Sequence, residues 1–413
     1  MSAAPTGEPG ELIFLVAGEA SGDALGGRLM AALQQLTGGS IRFAGVGGEA
    51  MSARGLESLY PMEELAVMGF VEVVPRVPRL LRRIDETVAA ILKLRPAAVV
   101  TIDSPAFSFR VARRVKAASG AAGRDISVIH YVAPQAWAWH SGRARKMNDF
   151  LDHLLVLLPF EPAFFERFGI GCTYVGHPVL ESGADKGDGG AFRARHGIAP
   201  DACVICILPG SRHSETRQLL PVFGDALRCL SEGVPGLHAV AAGTAATADE
   251  VAAAATGWPV PATVVRGDER FDAFAAGDVA LAASGTVTLE LALAGVPMVV
   301  AYRTNPVTGW VARRLVKVQY ANLINLILDR GVVPELLLGN CRPERLAAAV
   351  RRLIEDKAAR AEQRQAAAEA LERLGRGGPS PSLRAAQAIL AVIAESADRG
   401  RPPEIRDVGG GMA

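Results

Sequence analysis

Short apolar runs of strand length recur along the chain, and each gives way to a turn and then to a helical pattern. Leu12 to Ala17 is the first such run. Ile41 to Ala44, Ala97 to Ile102, Ile126 to Tyr131, Leu154 to Leu158 and Cys172 to Val175 follow. After a polar, glycine-rich stretch from Glu181 to Gly190, which reads as a linker, the series resumes. Its strands are Val204 to Leu208, His238 to Ala242, Thr263 to Val265, Val279 to Ala282 and Met298 to Ala301. Strand, helix, strand at this spacing predicts parallel sheets with crossover helices. The 413 residues suit two such domains, at about 150 residues each, with a helical end from Arg345 to Ala394. The expected architecture is α/β: two Rossmann-like domains facing a cleft, with a helical C-terminal segment. The boundaries are 1–183, 184–360, 361–397 for helices that pack back on the first domain or on a partner subunit, and 398–413 for a disordered tail.

Composition narrows the function. Lys and Arg number 44 against 43 Asp and Glu, and aromatics are 6%. That balance does not provide the excess cation or the stacking surface that nucleic acids require. The start, MSAAPTGEPGE, lacks the basic and apolar regions of a secretory signal. The five cysteines are scattered, and the CxxC of Cys203 and Cys206 falls on a predicted buried strand, which suits structural thiols in a reducing cytoplasm. Mean hydropathy is +0.22. Either much buried sheet or contact with lipid explains that value.

The loops after the strands carry the chemistry. Gly18-Glu19-Ala20-Ser21-Gly22-Asp23 opens the first helix, but it is not GxGxxG, and no acidic residue ends the second strand. A nicotinamide enzyme is therefore poorly supported, and no GxxxxGK[ST] exists. The glycines either serve close packing or leave room for a ligand beside Glu19, Ser21, Gly22 and Asp23. Asp103 sits at the carboxyl end of its strand, where open sheets bind ligands; it reads as a general base or as a helix cap. His130 reads as either a core histidine or a site residue. Trp137 and Trp139 follow it, and paired indoles stack on sugars or wedge into apolar chains.

In the second half, Pro209-Gly210-Ser211-Arg212 with Glu215, and Ser284-Gly285-Thr286 with Glu290, each lie between strand and helix. Gly210 admits a ligand, Ser211 can cap the helix, and Arg212 can fork onto a phosphate. The two turns together predict a nucleotide diphosphate site, with Glu290 on the ribose and no metal cluster nearby. A third feature is Leu65 to Leu81, in which Val67, Met68, Phe70, Val71, Val73, Val74, Leu80 and Leu81 interleave with Arg76 and Arg79. Pro75 and Pro78 are expected to break any long helix there. Apolar residues mixed with Arg suit an interfacial, acyl-contacting segment.

The motifs Val16 to Asp23, Met62 to Gly69, Ile102 to Pro105, His130 to Pro134 with Trp137 and Trp139, and Leu158 to Glu161 recur here in one order. In the second half Leu208 to Arg212 with Glu215, Ala283 to Glu290, Pro297 to Arg303, and Asn325-Leu326 continue the series. Together they resemble the lipid-A-disaccharide synthase family, inverting transferases of the two-domain GT-B architecture. The resemblance implies UDP-2,3-diacylglucosamine as donor, lipid X (2,3-diacylglucosamine 1-phosphate) as acceptor, and a β-1,6 disaccharide 1-phosphate as product. It implies no cofactor or metal, peripheral attachment to the cytoplasmic face of the inner membrane, and compatibility with a homodimer. It puts Asp103 at the general base; Glu19 and His130 are the further catalytic candidates among the residues read above. Arg212, Glu290 and Asn325 fall where the family binds nucleotide or is otherwise sensitive to change. A UDP-sugar 2-epimerase of the same architecture and a non-catalytic glycolipid carrier remain as alternatives.

Overall fold

The computed structural model describes residues 10–65, 70–121, 126–139, 141–304 and 319–399. The described chain forms two units. The first holds residues 1–176 and 379–413, and the second holds residues 177–378.

The first unit is a parallel sheet of β1 (Leu12–Ala17), β2 (Arg42–Val46), β3 (Ala98–Ile102), β4 (Ser127–Tyr131), β5 (His153–Val156) and β6 (Cys172–Tyr174), in the order β2-β1-β3-β4-β5-β6. Its helices are α1 (Ala20–Leu36), α2 (Glu49–Ser52), α3 (Phe70–Leu94), α4 (Pro105–Ala121), α5 (Ala136–Trp139), α6 (Ser141–Arg145) and α7 (Glu161–Phe165). All residues of β3 and β4 are buried. Strands covered on both faces are mostly apolar, and the polar residues within these two are paired, Thr101 with His130 and Ser127 with Ser396.

The second unit repeats the plan. Helix α8 (Gly189–Arg195) leads into β7 (Cys203–Leu208), followed by α9 (His213–Ser231), β8 (Leu237–Gly243), α10 (Ala248–Ala255), β9 (Ala262–Arg266), α11 (Arg270–Ala275), β10 (Val279–Ala283), α12 (Val287–Leu293) and β11 (Met298–Tyr302). Then come α13 (Leu323–Leu328), β12 (Glu335–Leu337), α14 (Pro343–Glu355) and α15 (Lys357–Arg373). The sheet order is β12-β11-β10-β7-β8-β9. A last helix, α16 (Pro381–Arg399), returns to the first unit.

The sequence and the structure differ in four places. The stretch from Glu181 to Gly190 is not a free linker. It carries two short 3-10 turns and the start of α8, and a Cβ at Gly187 would lie 2.1 Å from the Phe271 carbonyl oxygen. Gly187 and Gly189 serve close backbone contact, and the crossing between units falls at Gly176–His177 rather than after residue 183. The helical end also divides: α15 stays in the second unit, and α16 packs against α1, β4 and β5 with Ala385, Ile389, Val392 and Ile393 buried. Strand β12 was not anticipated, because three residues after Pro334 give no periodic signal.

The fourth difference is α3, which runs on through Pro75 and Pro78. Both prolines lie early in the helix. The stretch beyond them is strongly amphipathic, with Ile84, Thr87 and Ile91 buried on the side that packs against α4. Arg83 adds a tie, donating to both Glu64 oxygens at 2.9 Å and standing 4.4 Å over the Tyr60 ring. Packing of that length outweighs the two missing backbone donors.

In the second unit, Gln363 of α15 is 4% exposed, and it pairs with the main chain at the start of β11. It accepts from the Met298 N–H and donates to the Met298 carbonyl. Gln363→Leu strands both groups in an apolar setting. It should lower stability by about 1–3 kcal/mol in a urea titration, with the slope unchanged.

Candidate active site

In a parallel sheet, ligands bind beyond the carboxyl ends of the strands where the strand order reverses. In the first unit that point is β1/β3. The pairing of Ala17 with Ile102 makes the loops after these strands emerge side by side. Gly18 lies so close to Ser104 that a Cβ on it would be 2.9 Å from the Ser104 Oγ. Glu19, at the exposed start of α1, and half-buried Asp103 therefore share one edge of the sheet.

The main chain is strained at this edge. Asp103 has φ 51°, Ser104 has φ 45°, and Val132, just past β4, has φ 78°. Such conformations cost on the order of 1–3 kcal/mol each and persist where the surroundings enforce them. Here the enforcing bonds are clear. The Asp103 N–H donates to the Tyr131 carbonyl at 2.9 Å, and the Ser108 hydroxyl donates to the Asp103 carbonyl at 2.7 Å. The Ser104 N–H donates to Asp103 Oδ1 at 2.8 Å. Oδ1 is thereby fixed, and Oδ2 bonds to no described residue.

In the second unit the order reverses at β7/β10, and Leu208 pairs with Ala282. The Gly210–Arg212 loop and the Ser284–Thr286 turn thus leave adjacent strands. Gly210 has φ 112°, a conformation that favours glycine. Arg212, not Ser211, occupies the N-cap position of α9, and its side chain is 65% exposed. Gly285 and Thr286 are exposed, with open space around Gly285. Ser284 donates through Oγ to the Ala321 carbonyl at 2.9 Å. Glu290 is largely buried and 3.2 Å from Arg270. Burial raises its pKa, and the Arg270 charge opposes the shift.

The comparisons with known proteins agree along the chain. A family model described as lipid-A-disaccharide synthetase matches residues 13–390. The lipid-A-disaccharide synthase of Rhodospirillum centenum is 56% identical over 383 residues, covering 92% of this chain and 94% of that protein. The one from Paramagnetospirillum magneticum is 51% identical over 390 residues, 94% of this chain and 99% of its own length. The chain belongs to the lipid-A-disaccharide synthase family. As a family member it is a UDP-sugar glycosyltransferase of lipid A biosynthesis. Among solved structures, S. aureus MnaA with UDP is similar at TM-score 0.62 and 13% identity, covering 95% of this chain and 99% of that one. A Methanocaldococcus jannaschii UDP-GlcNAc 2-epimerase in complex with UDP-GlcNAc and UDP gives TM-score 0.56, also at 13% identity, covering 93% and 99%. At that identity they speak for the fold alone. The epimerase and carrier alternatives are not favoured.

In this lipid-A-disaccharide synthase family member, several residues expected to touch ligand bond to the scaffold. Asp23 is 6% exposed, and its carboxylate accepts from the N–H groups of Gly48, Ala50 and Met51 at 2.8–3.1 Å, which fixes α2. Gly22 is buried in α1 near Ile102, whereas Ser21 is exposed. Glu215 turns back on its own loop, accepting from the Ser211 N–H at 3.2 Å and Arg212 Nη1 at 3.0 Å. His130 is fully buried with Nδ1 2.8 Å from Thr101 Oγ1 and its ring edge-on to Phe109. Burial pushes its pKa down to about 3, so it is a neutral core histidine. Cys203 and Cys206 are thiols pushed up to about 11 and about 12 by burial, and the described residues hold no metal-ligating cluster.

Asn325 uses its whole side-chain amide. Nδ2 donates to the Val333 carbonyl and to Glu335, while Oδ1 accepts from the Val332 and Val333 N–H groups. Glu335 in turn accepts from Ala321 and Asn322, so this knot fixes the carbonyl that anchors Ser284. Sequence reading missed Glu335, Arg270 and also Glu250, which gathers Thr216, His213 and Arg217 at the start of α9. These partners lie far along the chain, and only tertiary structure reveals them.

Val67 and Met68 lie outside the described residues. Phe70, Val71, Val73 and Val74 fall on α3, where only the backbone is described. Leu80 is partly buried against the first unit's core, whereas Val77 and Leu81 are exposed.

Asn325→Ala should lower the thermal midpoint together with donor binding, because at least two buried groups lose partners, at about 1–3 kcal/mol each. A normal melting curve with binding abolished would instead make Asn325 a ligand contact.

Proposed function

We propose that the chain transfers 2,3-diacylglucosamine from UDP-2,3-diacylglucosamine to the 6-hydroxyl of 2,3-diacylglucosamine 1-phosphate. The products are a β-1,6-linked disaccharide 1-phosphate and UDP. The observation that carries the residue-level reading is Asp103. It is a carboxylate held by strained backbone at the β1/β3 reversal, with one oxygen fixed and the other without a described partner.

Asp103 takes the proton of the acceptor hydroxyl, whose oxygen attacks the anomeric carbon from the face opposite the diphosphate. The bond from that carbon to the phosphate oxygen breaks, and its electron pair leaves with UDP. Arg212 and the N–H groups of Gly285 and Thr286 receive that charge. Glu290 accepts from the ribose hydroxyls, with Arg270 paired to its carboxylate at 3.2 Å. Glu19 and Ser21, on the same edge as Asp103, orient the acceptor. Asp103→Ala should retain UDP-sugar binding and lose roughly 10²–10⁴-fold in turnover, read by UDP release. Near-normal release would remove Asp103 as the base.

Membrane attachment rests on α3. Exposed Val77 and Leu81 stand one turn apart, and Arg79 and Arg82 flank Leu81 on the same helix. No described helix is long and apolar enough to cross a membrane. We read this face as lying at the cytoplasmic surface of the inner membrane, near the acyl chains of both substrates. Changing Val71, Val73, Val74 and Leu81 to Ser should move the protein from vesicle-bound to free in flotation with anionic vesicles. Unchanged flotation would count against the reading.

A further inference from the structure

Glu161 lies on neither of the two reversal points, and the chemistry above does not use it. It is 3% exposed, and its carboxylate accepts three N–H donors. Oε2 accepts from Leu157 and Leu158, at 2.9 and 2.8 Å, in the loop after β5. Oε1 accepts from the Trp137 indole N–H, at 3.1 Å, on α5 after β4. The indole is also set edge-on to Phe160, with ring centres 5.1 Å apart. One buried side chain therefore ties together the loops after two neighbouring strands and fixes the plane of a half-buried aromatic ring.

The choice of a carboxylate is informative. Burying a charge is costly, and no described Lys or Arg bonds it. Three donors converge on the site with no acceptor among them. A glutamine would bring two further N–H donors into that ring, and a protonated carboxyl would bring an O–H. Only the ionised form satisfies all three donors. Burial pushes its pKa up to about 7, against the three hydrogen bonds. The titratable groups near α7 are Glu166 and, on β6, Cys172 and Tyr174; Arg384 of α16 stands over the Tyr174 ring. Burial raises both Cys172, to about 11, and Tyr174, so both are neutral where Glu161 changes charge.

We propose that Glu161 is a positioning residue that locks Trp137 as a flat platform for the sugar or the adjoining acyl segment of the acceptor. This rests on the reading that the carboxyl edge of the first sheet receives the lipid acceptor. Aromatic faces stack on the apolar faces of sugars, and such stacking needs a fixed ring plane. The sign of the pH effect follows from the three donors. Above about 7 the carboxylate is ionised and holds the indole. As the pH falls through that value, the site gains a proton, loses an acceptor, and releases Trp137.

The test is the acceptor KM measured against pH, alongside the Trp137 indole N–H resonance, which Trp137→Phe identifies among the four tryptophans. In the unmodified chain, acceptor KM should rise on the order of tenfold as pH falls through about 7, the loss of one charge-assisted hydrogen bond, with a smaller change in kcat. Glu161→Gln should show the raised KM at every pH and a shifted indole resonance, while donor KM holds. Trp137→Phe should abolish the pH step. A Glu161→Gln chain with normal acceptor KM and an unmoved pH profile overturns the proposal, as does an indole resonance that titrates while acceptor KM stays flat. A chain that makes no disaccharide at all fails the synthase reading and takes the acceptor role with it, while the indole resonance still reads the Glu161–Trp137 contact.

Discussion

Everything in this protein depends on two parallel sheets whose central strands are sealed on both faces. A sealed strand has no side to offer a ligand. Groups that reach a ligand are confined to its ends, and parallel pairing puts the carboxyl ends of each sheet on one edge. Asp103 lies at that edge of the first sheet, after β3, and Gly210, Arg212 and Ser284 lie at the same edge of the second, after β7 and β10. The same constraint explains why the strongest backbone strain in the first unit gathers just past β3 and β4.

Loops at such an edge need to be held, and this chain holds them with buried polar side chains. Asp23 fixes the loop after β2, Glu161 those after β4 and β5, and Asn325 with Glu335 the segment that meets Ser284. In each case a carboxylate or amide collects several backbone N–H groups that would otherwise be stranded. The division of labour is plain: exposed Arg212 and half-buried Asp103 face the solvent, and their buried neighbours determine where they stand.

That division also marks what the sequence could disclose. The strands were legible because double burial favours short, mostly apolar runs. The edge loops were legible because Gly, Ser and Asp cluster there. The roles of Asp23, Glu215 and Asn325 were not, because a polar residue in a glycine-rich turn looks the same whether it binds a ligand or a neighbouring N–H. His130 was undecided in sequence, since only its surroundings separate a neutral core imidazole from a base. The long α3 was misjudged because a proline's local cost is visible in sequence, whereas the packing against α4 that offsets it is not.

The return of α16 to the first unit has a consequence for how the protein is made. Ala385, Ala386, Ile389, Val392 and Ile393 belong to the same hydrophobic core as β1 and α1. A ribosome therefore delivers all of the second unit before it delivers the piece that completes the first. The domain that begins first is completed only after the second, and the apolar face of α1 stays open to chaperones, or to a neighbouring nascent chain, until α16 emerges.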